Sequence, residues 1–270
     1  MSETPSSRAQ ALLREGLPAD ALRELQAGVR ADAANSGLRV FLAQLLMVLG
    51  AWERALAQLQ VAAQMDSANT PMAYAYRQAI AAERIRGEVF AGRRRPALLG
   101  EPEAWMAAQL DAVSALGSAA GRNAETVAAV MQALAGAPQI PGRLDGQPFD
   151  WLGDSDMRIG PMFELLVNGN YLWVAGQYIQ SLTLEAPQDL RDLVWVPGHA
   201  VWSNGGTAAI MMPTRYPGSE SAAPLLQLAR RTEYAELLPE FWIGLGQRVL
   251  ATDSGEYSLL DVREIEFDRA

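Results

Sequence analysis

In the first 140 residues, hydrophobic positions recur every three or four residues, which is the spacing of amphipathic helices. Within this part of the chain, residues 12–35 are repeated 34 positions later by residues 46–69. The matching pairs are Leu12 and Leu46, Gly16 and Gly50, Ala21 and Ala55, Leu22 and Leu56, Leu25 and Leu59, Asp32 and Asp66, and Asn35 and Asn69. The pattern therefore predicts two copies of one helical unit.

The matched glycines and alanines indicate how each unit is built. Gly16 and Gly50 can end a helix in a left-handed conformation, and Ala21 and Ala55 are small enough for paired helices to approach closely. A period of 34 residues with helix, turn and helix resembles the tetratricopeptide repeat. We therefore expect residues 1–140 to form an all-α, tetratricopeptide-like helical repeat array. A third unit beginning at Thr70 loses the pattern after Ile80, as expected of a terminal capping helix.

Two further helices are predicted before the pattern changes. They cover residues 102–119 and 123–134, and Asn123 can cap the second one. Arrays of this kind often bind a peptide or helix on their inner surface. By analogy with the tetratricopeptide pattern, that surface would include Val40, Gln44, Met47, Tyr74 and Gln78. The same apolar positions can equally belong to the core.

After residue 140 the periodicity becomes that of β-strands. A segment with three prolines and three glycines, residues 136–148, is the expected linker. Short β-branched and aromatic runs then predict hairpins around Asn204-Gly205 and Ser254-Gly255, with one helix at 221–238 between them.

The two halves together predict an α+β protein. We expect a helical domain at residues 1–140 and an acidic, β-rich domain at residues 141–270. The second domain would be a small barrel or a curled sheet.

Composition narrows the classes of function. The chain has no cysteine and one histidine, which excludes disulfides, cysteine-ligated metals and sites with several histidines. Its net charge is −9, and residues 141–270 contain 18 acidic residues but 9 arginines. Such a field would repel nucleic acid. Because no apolar run is long enough to cross a bilayer and no signal-peptide pattern begins the chain, we expect a cytoplasmic protein.

The stretch Gly153-Asp154-Ser155 has the letters of a serine hydrolase of the GDS type, which makes a hydrolase using Ser155 the alternative function. Such an enzyme needs a histidine oriented by an acid. His199 has no aspartate at the spacing expected for that class, and Gly153 to Met157 lacks the final glycine of GxSxG. A lone histidine in a turn is more often solvent-facing, although its titration near neutrality leaves a pH role open.

Acidic residues in the same region could bind a hard cation. The candidates are Asp150, Asp154, Asp156 and Glu164. The remaining acids of a calcium loop are missing. The sequence therefore favours Asp154 or Asp156 as a partner of Arg158 or as a turn cap, with no metal and no cofactor.

Most of the chain resembles the ImpE family, also called TagJ, of bacterial type VI secretion. The blocks that carry the resemblance are ERIRGEVFAG (83–92), GEPEAW (100–105), DWLGDSDMRIGP (150–161), NGNYLWV (168–174), DLRDLVWVP (189–197), PTRYPGSE (213–220) and GLGQRVLATDSGEYSLLDVREI (244–265). His199 does not belong to the family pattern. The GDS letters lie inside one of these blocks.

The resemblance implies a cytoplasmic, non-enzymatic accessory factor. It also implies contact with an N-terminal helix of the small contractile-sheath subunit (TssB-like), alongside the ClpV unfoldase. Two surfaces are candidates for that contact: the inner face of the helical array and the acidic second half.

Overall fold

The computed structural model describes residues 4–268. Its helices are α1 (Pro5–Arg14), α2 (Pro18–Ala31), α3 (Ser36–Val48), α4 (Trp52–Met65), α5 (Thr70–Phe90), α6 (Ala104–Leu116), α7 (Ala124–Ala135) and the short α8 (Pro224–Gln227). Five 3-10 helices occupy Ser67–Asn69, Gly176–Tyr178, Leu190–Leu193, Ser219–Ser221 and Leu259–Asp261.

The strands follow the long helices, apart from one short strand between α5 and α6. They are β1 (Ala97–Leu98), β2 (Gly142–Leu144), β3 (Gln147–Phe149), β4 (Leu152–Asp154), β5 (Met162–Val167), β6 (Asn170–Ala175), β7 (Ile179–Leu184), β8 (Trp195–Trp202), β9 (Thr207–Pro213), β10 (Thr232–Leu238), β11 (Phe241–Gly246), β12 (Val249–Thr252), β13 (Gly255–Ser258) and β14 (Glu264–Phe267). Nine of them form one sheet in the order β1-β6-β5-β9-β8-β7-β14-β2-β3. A second sheet has three strands in the order β13-β12-β4, and a third consists of β10 and β11.

A helical N-terminal region followed by a β-rich region confirms the α+β class. Helices α2 and α4 begin at residues 18 and 52, which keeps the 34-residue offset of the sequence. Gly16 and Gly50 follow α1 and α3 with φ of 79° and 67°, and Ala21 and Ala55 are fully buried. The cap predicted at Asn123 is also present, since its side chain accepts a hydrogen bond from the backbone N–H of Thr126.

Both predicted hairpins form, whereas the helix predicted at 221–238 is wrong. Strands β8 and β9 pair across the Asn204-Gly205 turn, and β12 and β13 pair across residues 253–254. The helix is interrupted because Pro224 starts the one-turn α8 and Ala229 adopts a left-handed φ of 51°. The following residues pair with β11 as strand β10. Strand pairing there overrides good local helix propensity.

The hydrophobic core is continuous between the helices and the large sheet. One cluster joins buried residues of α1 to α6 with residues of the β-rich region such as Trp173, Trp195 and Tyr216. The rings of Trp52 and Trp195 lie 5.9 Å apart across this boundary. Between residues 4 and 268, no helix has the length and apolar character needed to span a membrane.

Candidate functional site

The inner face of the helical array packs largely against the chain's own β-rich region. Arg191 donates to the Tyr76 hydroxyl, and the Trp195 indole donates to Glu83 at 2.9 Å. Gln44 of α3 is hydrogen-bonded to Asp189. An array with a long, open inner groove is therefore not what this sequence forms.

A shorter pocket remains open, and we call it the helical pocket. It lies between α1, α3 and residues 187–193, and its volume is about 830 Å³. Apolar and polar side chains both line it: Ser6, Gln10, Leu13, Arg14, Asn35, Gly37, Leu38, Val40, Phe41, Gln44, Asn69, Pro187, Gln188, Asp189, Leu190, Leu193 and Arg230. Its volume falls within the range of about 300–1,000 Å³ typical of ligand pockets.

The five residues predicted to contact a partner lie in three different environments. Val40 and Gln44 line the helical pocket. Met47 is fully buried in the core, so its side chain cannot be reached by a partner. Tyr74 is 61% exposed, and its hydroxyl accepts a hydrogen bond from Gln78 at 3.1 Å, outside the helical pocket.

Residues 187–193 are held firmly although they form a connection between strands. Asp189 caps the 3-10 helix Leu190–Leu193 by accepting the backbone N–H of Arg191 at 2.9 Å. The buried Asp192 carboxylate accepts two backbone N–H groups, from Gln188 at 2.7 Å and Asp189 at 3.0 Å. This side of the pocket is therefore preformed, which lowers the entropic cost of binding.

A buried ionic network fixes α5 to the strands behind the pocket. The Glu164 carboxylate of β5 accepts from Arg86 of α5 at 2.7 Å, and also from Arg248 and Tyr171. Although burial opposes ionisation, Arg86 and Arg248 lower the pKa of Glu164 to about 2. The carboxylate is ionised at neutral pH. It binds Arg86 and Arg248, which are 78 and 84 residues away along the chain.

The GDS-type stretch belongs to this network. Asp156 accepts from the Arg158 guanidinium at 2.9 and 2.6 Å, which confirms the predicted pairing. Asp154 Oδ1 accepts the Asp156 backbone N–H at 2.8 Å, and Asp154 Oδ2 lies 3.3 Å from Arg248 Nη1. Burial raises the pKa of Asp154 to about 7. Asp154 and Asp156 thus hold the turn in place and fix the guanidinium groups of Arg248 and Arg158.

Ser155 and His199 lie in different parts of the fold. Ser155 follows β4, and its backbone N–H donates to Val249 of the three-stranded sheet. His199 is exposed in the middle of β8, opposite Thr183 and Ala209 in the nine-stranded sheet. Each residue thus sits among its own strand neighbours, and the hydrogen bonds of residues 4–268 include none between a triad-like acid, His199 and Ser155.

The acids proposed as cation ligands do not form a metal-binding cluster. Asp154, Asp156 and Glu164 face arginines, and no group of three or more potential ligands occurs in the described part of the chain. Asp150 lies in a turn where its N–H donates to Asp253.

Several important residues could not be identified from sequence alone. Arg86 and Arg248 are almost completely buried, yet each looks like an ordinary charged residue in its segment. Phe41 and Leu13 were recognisable as apolar helix positions, but nothing in their spacing distinguishes a pocket from the core. Nothing in the sequence of residues 187–193 shows which helix they face.

Comparisons with known proteins find a relative and a solved structure that each cover nearly the whole chain. The profile of the ImpE protein family matches residues 146–266. The sequence is similar to the type VI secretion system accessory component TagJ of Pseudomonas aeruginosa, with 44% identity over 262 residues that cover 96% of this chain and 91% of that protein. A crystal structure of a protein from Vibrio parahaemolyticus shares the fold, with a TM-score of 0.88 at 23% identity and coverage of 97% of this chain and 98% of that chain.

Proposed function

Because this chain belongs to the ImpE family together with TagJ, we propose that it is a non-enzymatic accessory factor of a type VI secretion system. In this proposal it acts in the cytoplasm and binds the small, TssB-like subunit of the contractile sheath, alongside the ClpV unfoldase. We also propose that α1–α4 form two tetratricopeptide-like units, which lie beside a curled sheet.

The helical pocket is the observation that carries the binding function. Val40, Phe41, Leu190 and Leu193 are only partly buried there, although they surround a concave volume. Each square ångström of apolar surface removed from water by a partner contributes about 25 cal/mol. A partner segment with an apolar stripe is therefore the favoured occupant.

The pocket's size limits what that segment can be. One turn of an α-helix with its side chains is about 5.4 Å long and 10–12 Å wide, so it occupies roughly 500 Å³. A pocket of about 830 Å³ has room for between one and two turns. We infer that the partner inserts a short part of a helix and that a few anchoring side chains supply most of the affinity.

Both halves of the protein contribute to this surface. Helices α1 and α3 form one side, and residues 187–193 of the β-rich region form the other. The proposal therefore unites the two candidate surfaces, and binding has to be measured on the full chain. The exposed Tyr74 and the half-buried Gln78 form a separate surface patch, which we propose as a secondary contact.

The test is calorimetric titration of the full chain with the purified small sheath subunit from the same bacterium. We expect Val40→Asp to weaken binding at least tenfold, because a carboxylate covered by an apolar partner surface would lose its hydration. Trp242→Ala is the matched control, since Trp242 is 43% exposed on the β10–β11 hairpin, away from the pocket. No binding by the wild type, or equal losses in both variants, would refute the proposal.

A further inference from the structure

Strand β10 has one side without a neighbouring strand, and it is the longest such edge in the described part of the chain. The outer strands β1, β3, β4 and β13 have two to four residues, whereas β10 has seven. β10 pairs with β11 alone. An unpaired edge presents a row of backbone N–H and C=O groups, to which another extended segment can add as a strand.

The far side of β11 is covered by the protein itself. The N–H of Gly244 donates to the Asp156 carboxylate at 3.0 Å, and the N–H of Gly246 donates to the Ser219 hydroxyl at 2.8 Å. The carbonyl oxygen of Trp242 accepts a backbone N–H at 3.3 Å. These three residues of β11 therefore direct their backbone groups away from β10.

The residues of β10 that lie opposite those three are Thr232, Tyr234 and Glu236. In an antiparallel pair, two opposed residues either exchange both hydrogen bonds or both direct their backbone groups outward. The N–H and C=O groups of these β10 residues therefore point outward, and none of them has a partner within residues 4–268. The regular edge ends after Glu236, because the register shifts between Glu236 and Leu238.

Two exposed aromatic side chains lie on one face of the β10–β11 hairpin. Trp242 is opposite Glu236, and Tyr234 is two residues before Glu236 on the same strand, so all three side chains share a face. Tyr234 is 37% exposed and Trp242 is 43% exposed. The ring of Tyr234 is held against the buried Tyr216, with 6.4 Å between the ring centroids. An added strand would therefore pack against a large, ordered apolar side chain beside the free backbone groups.

Charge limits which segment can bind at this edge. Residues 232–246 contain three glutamates and no lysine or arginine. Arg231 forms an ion pair with Glu233 at 3.1 Å, whereas Glu236 forms none in the described part of the chain. The nearby Glu256 of β13 is also negative. A second copy of the chain would bring the same charges and oppose its own pairing, so the favoured segment is a basic one.

We propose that β10 binds an extended segment of another protein as an added antiparallel strand over residues 232–236. An apolar side chain of that segment lies beside Tyr234, and a lysine or arginine lies opposite Glu236. Backbone hydrogen bonds supply the affinity, and the two side-chain positions supply the specificity. This surface is separate from the helical pocket, so the inference does not rest on the proposed function.

The probe is the peptide Lys-Thr-Val-Thr-Val with a fluorescent label, titrated with the full chain and followed by fluorescence polarisation. When the peptide lies antiparallel to β10, its lysine is opposite Glu236 and its central valine is opposite Tyr234. Methylation of the central backbone nitrogen removes a donor directed at β10. Methylation of the second backbone nitrogen, whose N–H points away from β10, is the matched control.

Two charge reversals in the protein test the side-chain contact. Glu236→Lys places a like charge opposite the lysine of the peptide. Glu185→Lys makes the same change in net charge at an exposed position outside the hairpin. Thermal unfolding verifies that both variants are folded, and hydrogen exchange of the wild type locates the bound peptide.

We expect the wild type to bind the peptide with a Kd below about 1 mM. Methylation of the central nitrogen should weaken binding roughly tenfold, because it removes a hydrogen bond and adds bulk at the strand interface. Glu236→Lys should weaken binding about fivefold. The control methylation and Glu185→Lys should each stay within about twofold of the unmodified pair. The bound peptide should slow amide exchange at Thr232, Tyr234 and Glu236.

Three results would overturn the inference and leave the proposed function intact. They are a wild type that does not bind the peptide, equal losses from the two methylations, and protection by the peptide outside β10. A dimer of the peptide-free chain that protects the same amides would overturn the proposed occupant, because a second copy would then fill the edge.

Discussion

Replacement of Glu164 by glutamine should destabilise the protein by about 3–5 kcal/mol, the usual cost of breaking a buried ion pair. The side chain is fully buried and is shared by Arg86 of α5 and by Arg248, which directly precedes β12. Glutamine has nearly the same shape, but it leaves both guanidinium groups without their common counter-charge. Its amide N–H₂ would also face donors instead of accepting from them.

The matched control is Glu53→Gln, which removes an ion pair with Arg84 at the surface. The Glu53 side chain is 81% exposed, so its loss should cost between about 0 and 1 kcal/mol. Urea unfolding followed by circular dichroism measures both variants. In thermal unfolding, we expect the melting temperature of Glu164→Gln to fall by about 6–20 °C for a chain of this size. If the two variants lost equal stability, the network would not hold α5 against the sheet.

Three further predictions concern the partner, pH and the backbone. Phe41→Ala should weaken binding to the small sheath subunit by roughly 10-fold or more in calorimetry, because Phe41 is a large apolar side chain in the pocket; unchanged affinity would exclude it as an anchor. Burial raises the pKa of Asp154 from 3.8 to about 7. Between these pH values the folded protein keeps a proton on Asp154 that the unfolded chain releases. The contribution of Asp154 to the free energy of unfolding should therefore decline as the pH rises from about 4 to 7. Asp154→Asn should flatten that part of the stability profile, and an identical slope in wild type and variant would contradict the assignment. Gly92→Ala should cost about 1–3 kcal/mol more than Gly146→Ala in urea unfolding, because both have positive φ but only at Gly92 would a Cβ collide with the Ser114 carbonyl; equal losses would refute the close approach.

Local periodicity was sufficient to predict the helices of the first 140 residues and two of the β-hairpins. The 34-residue spacing of Gly16 and Gly50 and the hairpin at Asn204-Gly205 are encoded by neighbouring residues, so the sequence reveals them. The segment around Tyr234 was assigned as helix because its side chains favour helix, whereas pairing with β11 depends on residues that follow it in the chain.

The site was predictable only in part, because it depends on contacts between distant segments. Val40 and Gln44 were identified by analogy with the tetratricopeptide pattern and do line the pocket. Met47 follows the same spacing but is fully buried in the core. The pocket is short because residues 187–193 cover part of the inner face, and helical periodicity contains no information about that long-range contact.

Hydrogen exchange of the full chain with and without the small sheath subunit tests the central claim most directly. The account predicts that the subunit slows exchange in α1, α3 and residues 187–193, the elements that form the helical pocket, and leaves the β10–β11 hairpin unchanged. Protection confined to that hairpin, or to the exposed edge of the acidic region, would contradict it.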